Sequence, residues 1–242
     1  MGPCFGTVSW QIAMATTTCA RAPRVTKARG TDRRKFLAVS FLTLARPTVA
    51  VAEEATLYGP RGSPGGGLEA ATFAGGCFWC MEKPFDRVDG VKNTVSGYCG
   101  GGEPRPTYKQ VSAGVTGHAE SLRVEYDPKE VSYEELLDVF WKQINPTQEN
   151  QQFCDRGKQY RSAIFYHDEK QKEAALNSRD KYEQLGVFQG PIRTEIVPVT
   201  DFWDAEEYHQ DYYKKNPLLY RFYRSRCGRD QYLDAVWGSG NH

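Results

Sequence analysis

The sequence contains no run of 18 uninterrupted apolar residues, so a permanent transmembrane helix is not expected. It has no internal repeat and no low-complexity tract, which excludes solenoid and array architectures. Acidic residues are almost missing from the first 52 positions, where Asp32 stands alone against eight Lys or Arg. With a net charge of +1 overall, the remaining 190 residues sit near −6. A mildly acidic body lacks the basic face that phosphate binding needs, so nucleic acid is not an expected partner. There is neither a second CxxC nor an HxxxH pair, which leaves a structural zinc site short of its four ligands. The seven cysteines include one close pair, Cys77 and Cys80. The chain is long enough to bury a core without staples, so redox or catalytic use of cysteine is the better expectation than a disulfide framework.

What is present divides into three stretches. Residues 1–52 read as a targeting peptide. They are rich in Arg and Thr, and Arg33-Arg34-Lys35 precedes a moderately apolar stretch and the small-residue pattern Ala50-Val51-Ala52. A twin Arg before such a stretch resembles a twin-arginine export signal, and two addresses in series would suit a chloroplast protein bound for the thylakoid lumen. Mitochondrial and exported destinations stay open. Residues 53–70, with Gly59-Pro60 and Ser63-Pro64-Gly65-Gly66-Gly67, read as a flexible linker, and residues 71–242 as a single catalytic domain.

Within that domain strands and helices alternate. Strands are expected at Ala71–Ala74, Val91–Tyr98, Ser121–Tyr126, Ala163–Tyr166 and Ile192–Val199. A capping box at Ser132 and Glu135 opens a helix whose stripe is Leu136, Leu137, Phe140, Trp141 and Ile144. A charged helix starts near Glu169 and ends at Gly186, and Asp204–Lys215 reads as helical before Pro217. Alternation of this kind points to an α+β fold, a two-layer α/β sandwich around a mixed sheet.

The chemistry concentrates in Gly75-Gly76-Cys77-Phe78-Trp79-Cys80. A strand, two glycines and a cysteine at a helix start should lower the thiol pKa through free N–H groups and the helix dipole. Cys80 at i+3 lies within disulfide reach, and Pro84 should deprive the Cys80 carbonyl of its helix bond. These residues alone leave open a CxxC disulfide oxidoreductase, a thiol peroxidase or a non-catalytic binder.

Further blocks narrow the choice. In order they are Ser96-Gly97-Tyr98-x-Gly100-Gly101, Pro106-Thr107-Tyr108-x-x-Val111, Thr116-Gly117-His118-Ala119-Glu120, Asp155-x-Gly157-x-Gln159-Tyr160-Arg161-Ser162-Ala163-Ile164 and Ala205-Glu206-x-Tyr208-His209-Gln210. With the cysteine run, they resemble the A-type peptide methionine sulfoxide reductases over residues 70 to 215. The resemblance implies a ferredoxin-like βαβ core and thiol-dependent reduction of methionine S-sulfoxide, free or in peptides, as protein repair. It implies Cys77 as nucleophile, Glu120 as acid, Tyr108 and Tyr160 as donors to the sulfoxide oxygen, and Asp155 as organiser of the pocket. Phe78 and Trp79 would wall the S-methyl site. Glu206 and His209, spaced i and i+3, read as structural or pocket-lining rather than as a metal pair.

A sulfenic acid left on Cys77 needs a second thiol. Many relatives have Gly after Phe-Trp and carry resolving cysteines in a Gly-rich tail; this chain has Cys80 and a single tail cysteine, Cys227. Cys80 ranks first, Cys227 is a rival or the second member of a relay, and Cys99 is third. Cys154 has no derived role beyond packing. No bound cofactor or metal is expected. The expected partners are oxidised proteins and an external dithiol of the thioredoxin type, acting on a monomer.

Overall fold

The computed structural model describes residues 60–240, so the segment read as a targeting peptide lies outside the described residues. Strand β1 (Glu69–Gly75) leads through helix α1 (Phe78–Phe85) to strand β2 (Val91–Cys99). Short helix α2 (Tyr108–Ser112) precedes strand β3 (Ala119–Tyr126), which pairs antiparallel with both β1 and β2. β1 and β2 therefore run parallel with β3 inserted between them, a split βαβ unit. Helix α3 (Tyr133–Trp141), the small hairpin β4 (Gln151–Gln152) and β5 (Asp155–Arg156), and a 3-10 turn at Lys158–Tyr160 follow. Strand β6 (Ser162–Tyr166) then pairs antiparallel with the other edge of β1. The order β6-β1-β3-β2 is the ferredoxin-like core. Helix α4 (Glu169–Gln184) leads to strand β7 (Glu195–Pro198), parallel to β6, and strand β8 (Trp203–Asp204) closes the β2 edge. The chain ends in helices α5 (Tyr212–Lys215), α6 (Pro217–Arg226) and α7 (Arg229–Trp237).

Local chemistry explains most of these boundaries. All of β1 beyond Glu69 is buried, as suits a central strand covered on both faces. The α3 capping box forms as written, Ser132 N–H donating to Glu135 Oε2 at 2.8 Å and Glu135 N–H to Ser132 Oγ at 3.2 Å. Its apolar stripe packs on the sheet, where Phe73 stacks between Phe85 and Phe140 at 5.2 and 5.1 Å. Burying each such side chain contributes roughly 1.5–3 kcal/mol. Gly186, at φ +63°, follows the end of α4. A second cluster, including Ala74, Val95, Cys99, Phe165 and Phe202, fills the opposite sheet face. Residues at the end of the linker stretch lie against it: Arg61 N–H donates to the Phe202 carbonyl at 2.9 Å and buried Arg123 to that of Gly62 at 2.6 Å.

Two expectations are corrected. Asp204–Lys215 is not one helix but β8, a 3-10 turn at Glu207–His209 and α5, with Asp211 left-handed at φ +51°. Hydrogen bonds from elsewhere replace the helical ladder. The Gln210 amide exchanges two bonds with the Ser96 backbone, at 2.9 and 2.8 Å, and the Glu82 carboxylate accepts from the N–H groups of Asp211 and Tyr212. The segment read as a tail is two helices, opened by Pro217 at the first helical position and separated by Gly228 at φ +77°.

Candidate active site

β1 delivers the chain to Gly75 and Gly76, and both glycines are steric requirements. A Cβ on Gly75 would lie 2.4 Å from Met81 Sδ, and one on Gly76, at φ +80°, 2.5 Å from Gln152 Cβ. Cys77 is the N-cap of α1; it is 5% exposed, and Cys80 1%, and both are free thiols. The helix start does not lower the Cys77 pKa, contrary to the sequence expectation. The Phe78 N–H that would have served a thiolate donates instead to Glu120 Oε2 at 3.1 Å. Burial pushes the Cys77 thiol up, aided by its hydrogen bond to Cys80 and by the nearby charges of Glu120 and Asp155. The same bond draws Cys80 down to about 7 against its own burial, with help from Arg229 and Arg224. The two shifts run in opposite directions, so thiolate character in this pair leans toward Cys80. The carbonyl that Pro84 orphans is that of Cys80, and Arg224 Nη1 donates to it at 3.0 Å.

Glu120 lies on β3 opposite Tyr98, 2% exposed. Burial pushes its carboxyl up to about 8, against the Phe78 N–H and with the charge of Asp155, so it holds a proton at neutrality. Tyr108 opens α2 and Tyr160 ends the 3-10 turn; both are half-buried, and Glu120, Asp155 and Cys77 act on both hydroxyls. Burial, then Glu120, pushes Tyr108 up to about 12 and Tyr160 higher still, so both remain donors. Asp155, half-buried on β5, is raised chiefly by burial, and Tyr223 Oη donates to its carboxylate, 2.6 Å from each oxygen.

Phe78 is buried and Trp79 half-buried at the start of α1. Trp79 stacks on Tyr212 at 3.7 Å, meets the edge of Tyr223 at 5.9 Å and donates from Nε1 to His209 Nδ1 at 3.0 Å. His209, held neutral by burial with a pKa near 4, packs between Phe78 and Tyr108. Glu206 accepts from Tyr98 Oη at 2.7 Å and from the Tyr108 N–H at 2.9 Å. The two residues fasten the pocket wall together, the His209 N–H donating to the Glu206 carbonyl at 2.8 Å.

The remaining cysteines separate from this cluster. Cys154 is disulfide-bonded to Cys227 across 73 positions, a correction to its reading as a packing residue. Cys227, a candidate partner for Cys77, is bridged here to Cys154. Their sulfurs and an Asp155 oxygen fall within 4.8 Å of one another, but the sulfurs are committed to their mutual bond. Cys99 is buried beside the Thr200 carbonyl in the cluster on the opposite sheet face. Sequence reasoning missed Gln152, Tyr223, Arg224 and Arg229. The signal that could have found the last three was the Pro217 start and Gly228 break of a helical pair.

The family model for peptide methionine sulfoxide reductase matches residues 69–241. The peptide methionine sulfoxide reductase MsrA of Bacillus subtilis is 49% identical over 171 residues, covering 71% of this chain and 97% of that protein. The MsrA/MsrB protein of Vibrio cholerae is 52% identical over 171 residues; the same 71% of this chain spans 45% of it. Among solved structures, reduced Mxr1 of Saccharomyces cerevisiae matches with a TM-score of 0.59 and 33% identity, over 65% of this chain and 90% of that one. Methionine sulfoxide reductase A of Corynebacterium diphtheriae matches at 0.58 and 36%, over 64% and 77%.

Proposed function

The chain belongs to the peptide methionine sulfoxide reductase family, A type, as a peptide-methionine (S)-S-oxide reductase; on that premise we propose that Cys77 is its nucleophile and Cys80 its resolving thiol. The observation that carries this reading is the convergence of Glu120, Tyr108 and Tyr160 on Cys77, with Glu120 protonated at neutrality. A sulfoxide sulfur becomes electrophilic once its oxygen is protonated or strongly hydrogen-bonded. Glu120 supplies the proton, and the tyrosyl hydroxyls steady the oxygen as charge develops on it. Phe78 and Trp79 supply the apolar wall that suits an S-methyl group.

The electrons balance within the pair. Cys77 gives up its thiol proton and two electrons, the sulfoxide sulfur gains two, and the oxygen passes to Cys77 as a sulfenic acid. The thiol proton restores Glu120. Cys80 then attacks the sulfenic sulfur, the S–O bond breaks, and water leaves as the disulfide forms. An external dithiol of the thioredoxin type, acting on a monomer, resets the enzyme. Oxidised proteins are its substrates, and the Arg-rich residues 1–52 direct it to the chloroplast and onward to the thylakoid lumen; imaging a fusion of these residues to a fluorescent protein tests that address.

The central test is one turnover without reductant. One methionine per chain and a mass-mapped Cys77–Cys80 link are expected. A link from Cys77 to Cys227 would overturn the role of Cys80, and no methionine would overturn the mechanism.

A further inference from the structure

Arg229 is 1% exposed, yet every acceptor its guanidinium reaches is neutral. Nη2 donates to the Gly75 carbonyl at 2.9 Å, Nη1 to the Gln143 carbonyl at 2.5 Å and to Met81 Sδ at 3.6 Å, and the Phe153 ring lies 4.6 Å from the guanidinium carbon. A buried cation held this way is costly unless an anion stands or forms beside it, and the one carboxylate it acts on, Asp155, makes no bond to it and is engaged by the Tyr223 hydroxyl. Arg224, 8% exposed, is different: it binds the Cys80 carbonyl and Gln143 Oε1, each at 3.0 Å, and its charge is met by Asp230. Both arginines come from the C-terminal helices and act on the sulfur of Cys80.

We infer that Arg229, seconded by Arg224, is a positioning residue of the resolving step: its guanidinium is the standing counter-charge for the Cys80 thiolate that attacks oxidised Cys77. This rests on the reading of Cys80 as the resolving thiol. The other groups facing Cys80 do not supply that charge. Cys77 of the α1 N-cap donates a hydrogen bond, Glu120 of β3 is protonated, Tyr220 and Tyr223 of α6 are neutral, and Asp155 of β5 opposes a second anion. After the Cys77 hydrogen bond, Arg229 and then Arg224 are the influences that draw Cys80 down against its burial. Once Cys77 has become a sulfenic acid it no longer offers a thiol proton to Cys80, and the arginines are left to hold the thiolate. In the step itself the Cys80 sulfur loses one electron and the Cys77 sulfur gains one as the S–S bond forms. The hydroxide released from Cys77 takes a proton and leaves as water.

The test separates reduction from resolution. Rapid quenching of a single turnover reads methionine release and, by alkylation and mass mapping, the Cys77–Cys80 link, between about pH 5.5 and 9.5. In the unmutated protein, link formation should reach half its maximal rate below the range of a free thiol, about 8.5, because the arginines favour the thiolate after the Cys77 hydrogen bond is lost. Arg229→Met should raise that midpoint by about one unit and slow the link about tenfold relative to methionine release at neutrality. Arg229→Lys should recover most of the shift, because it restores charge without the fork of donors. An unmoved midpoint in Arg229→Met overturns the inference. So does an unmutated midpoint at about 8.5 or above, the range of a free thiol, and that measurement needs no variant to fold. A Cys77 link to Cys227 instead sinks the resolving assignment itself, a result distinct from a correct link with an unmoved midpoint.

Discussion

Two pairs of cysteines sit within one domain and meet opposite fates. Cys77 and Cys80 are neighbours on the first turn of α1, buried, and free. Cys154 and Cys227 are 73 positions apart, lie at the surface and half-buried, and are bonded. The inner pair is surrounded by a protonated carboxyl, tyrosyl hydroxyls and two buried guanidiniums, each of which changes what a sulfur can do. The outer pair ties the β4–β5 hairpin to the end of α6, and so holds Asp155 near Tyr223. Proximity in sequence makes a dithiol available for a reaction cycle, whereas separation makes a bond that constrains the unfolded chain.

The sharpest way to break this contrast is to remove one sulfur from each pair. Cys77→Ser should abolish turnover of methionine S-sulfoxide with dithiothreitol, while Cys227→Ser should keep it; equal losses would erase the distinction. Next in size is Glu120→Gln, expected to lower kcat about 10²–10⁴-fold with little change in KM. The same carboxyl sets a pH dependence. Its raised pKa keeps the acid form below about 8, so the reductive step should hold steady there and fall as pH rises through that value. A rate that climbs across this window, as a simple thiolate requirement on Cys77 would give, contradicts the acid role. The outer pair should show itself in stability: Cys154→Ser with Cys227→Ser should lose about 2–4 kcal/mol in urea unfolding. The smallest effect is expected of Tyr223→Phe. Removing its hydroxyl from Asp155 should cost about 1.5–3 kcal/mol, the range of a charged hydrogen bond, and steady-state rates should fall no further than that. A loss matching Glu120→Gln would place Tyr223 inside the chemistry.

Much of the fold could be read directly because its signals are local. The Ser132–Glu135 box and the glycine after α4 lie within a turn of the boundaries they define, and Ala71–Ala74 reads as a strand, though not as a central one. The neighbourhood of Cys77 was legible for the same reason, since Gly75, Gly76, Cys77 and Cys80 fall within six consecutive positions. What stayed hidden depends on distant partners. Burial, the hydrogen bond to Cys80 and the charges of Glu120 and Asp155, 43 and 78 positions away, reverse the direction of the Cys77 shift that a helix start alone suggests. Gln210 and Glu82 satisfy the backbone around Asp211, so a segment with helical composition bends instead. The Cys154–Cys227 bond joins two residues with no shared motif, and nothing near either one names the other.

The Arg229 bond to the Gly75 carbonyl joins positions 154 apart. A chain emerging from the ribosome presents Cys77 and Cys80 to its surroundings long before the residue that will sit beneath them has been made. Throughout that interval the thiols lack the counter-charge that later sits beside them. Synthesis and oxidation thus compete for the same sulfurs until α7, the last of the described helices, brings Arg229 beneath them.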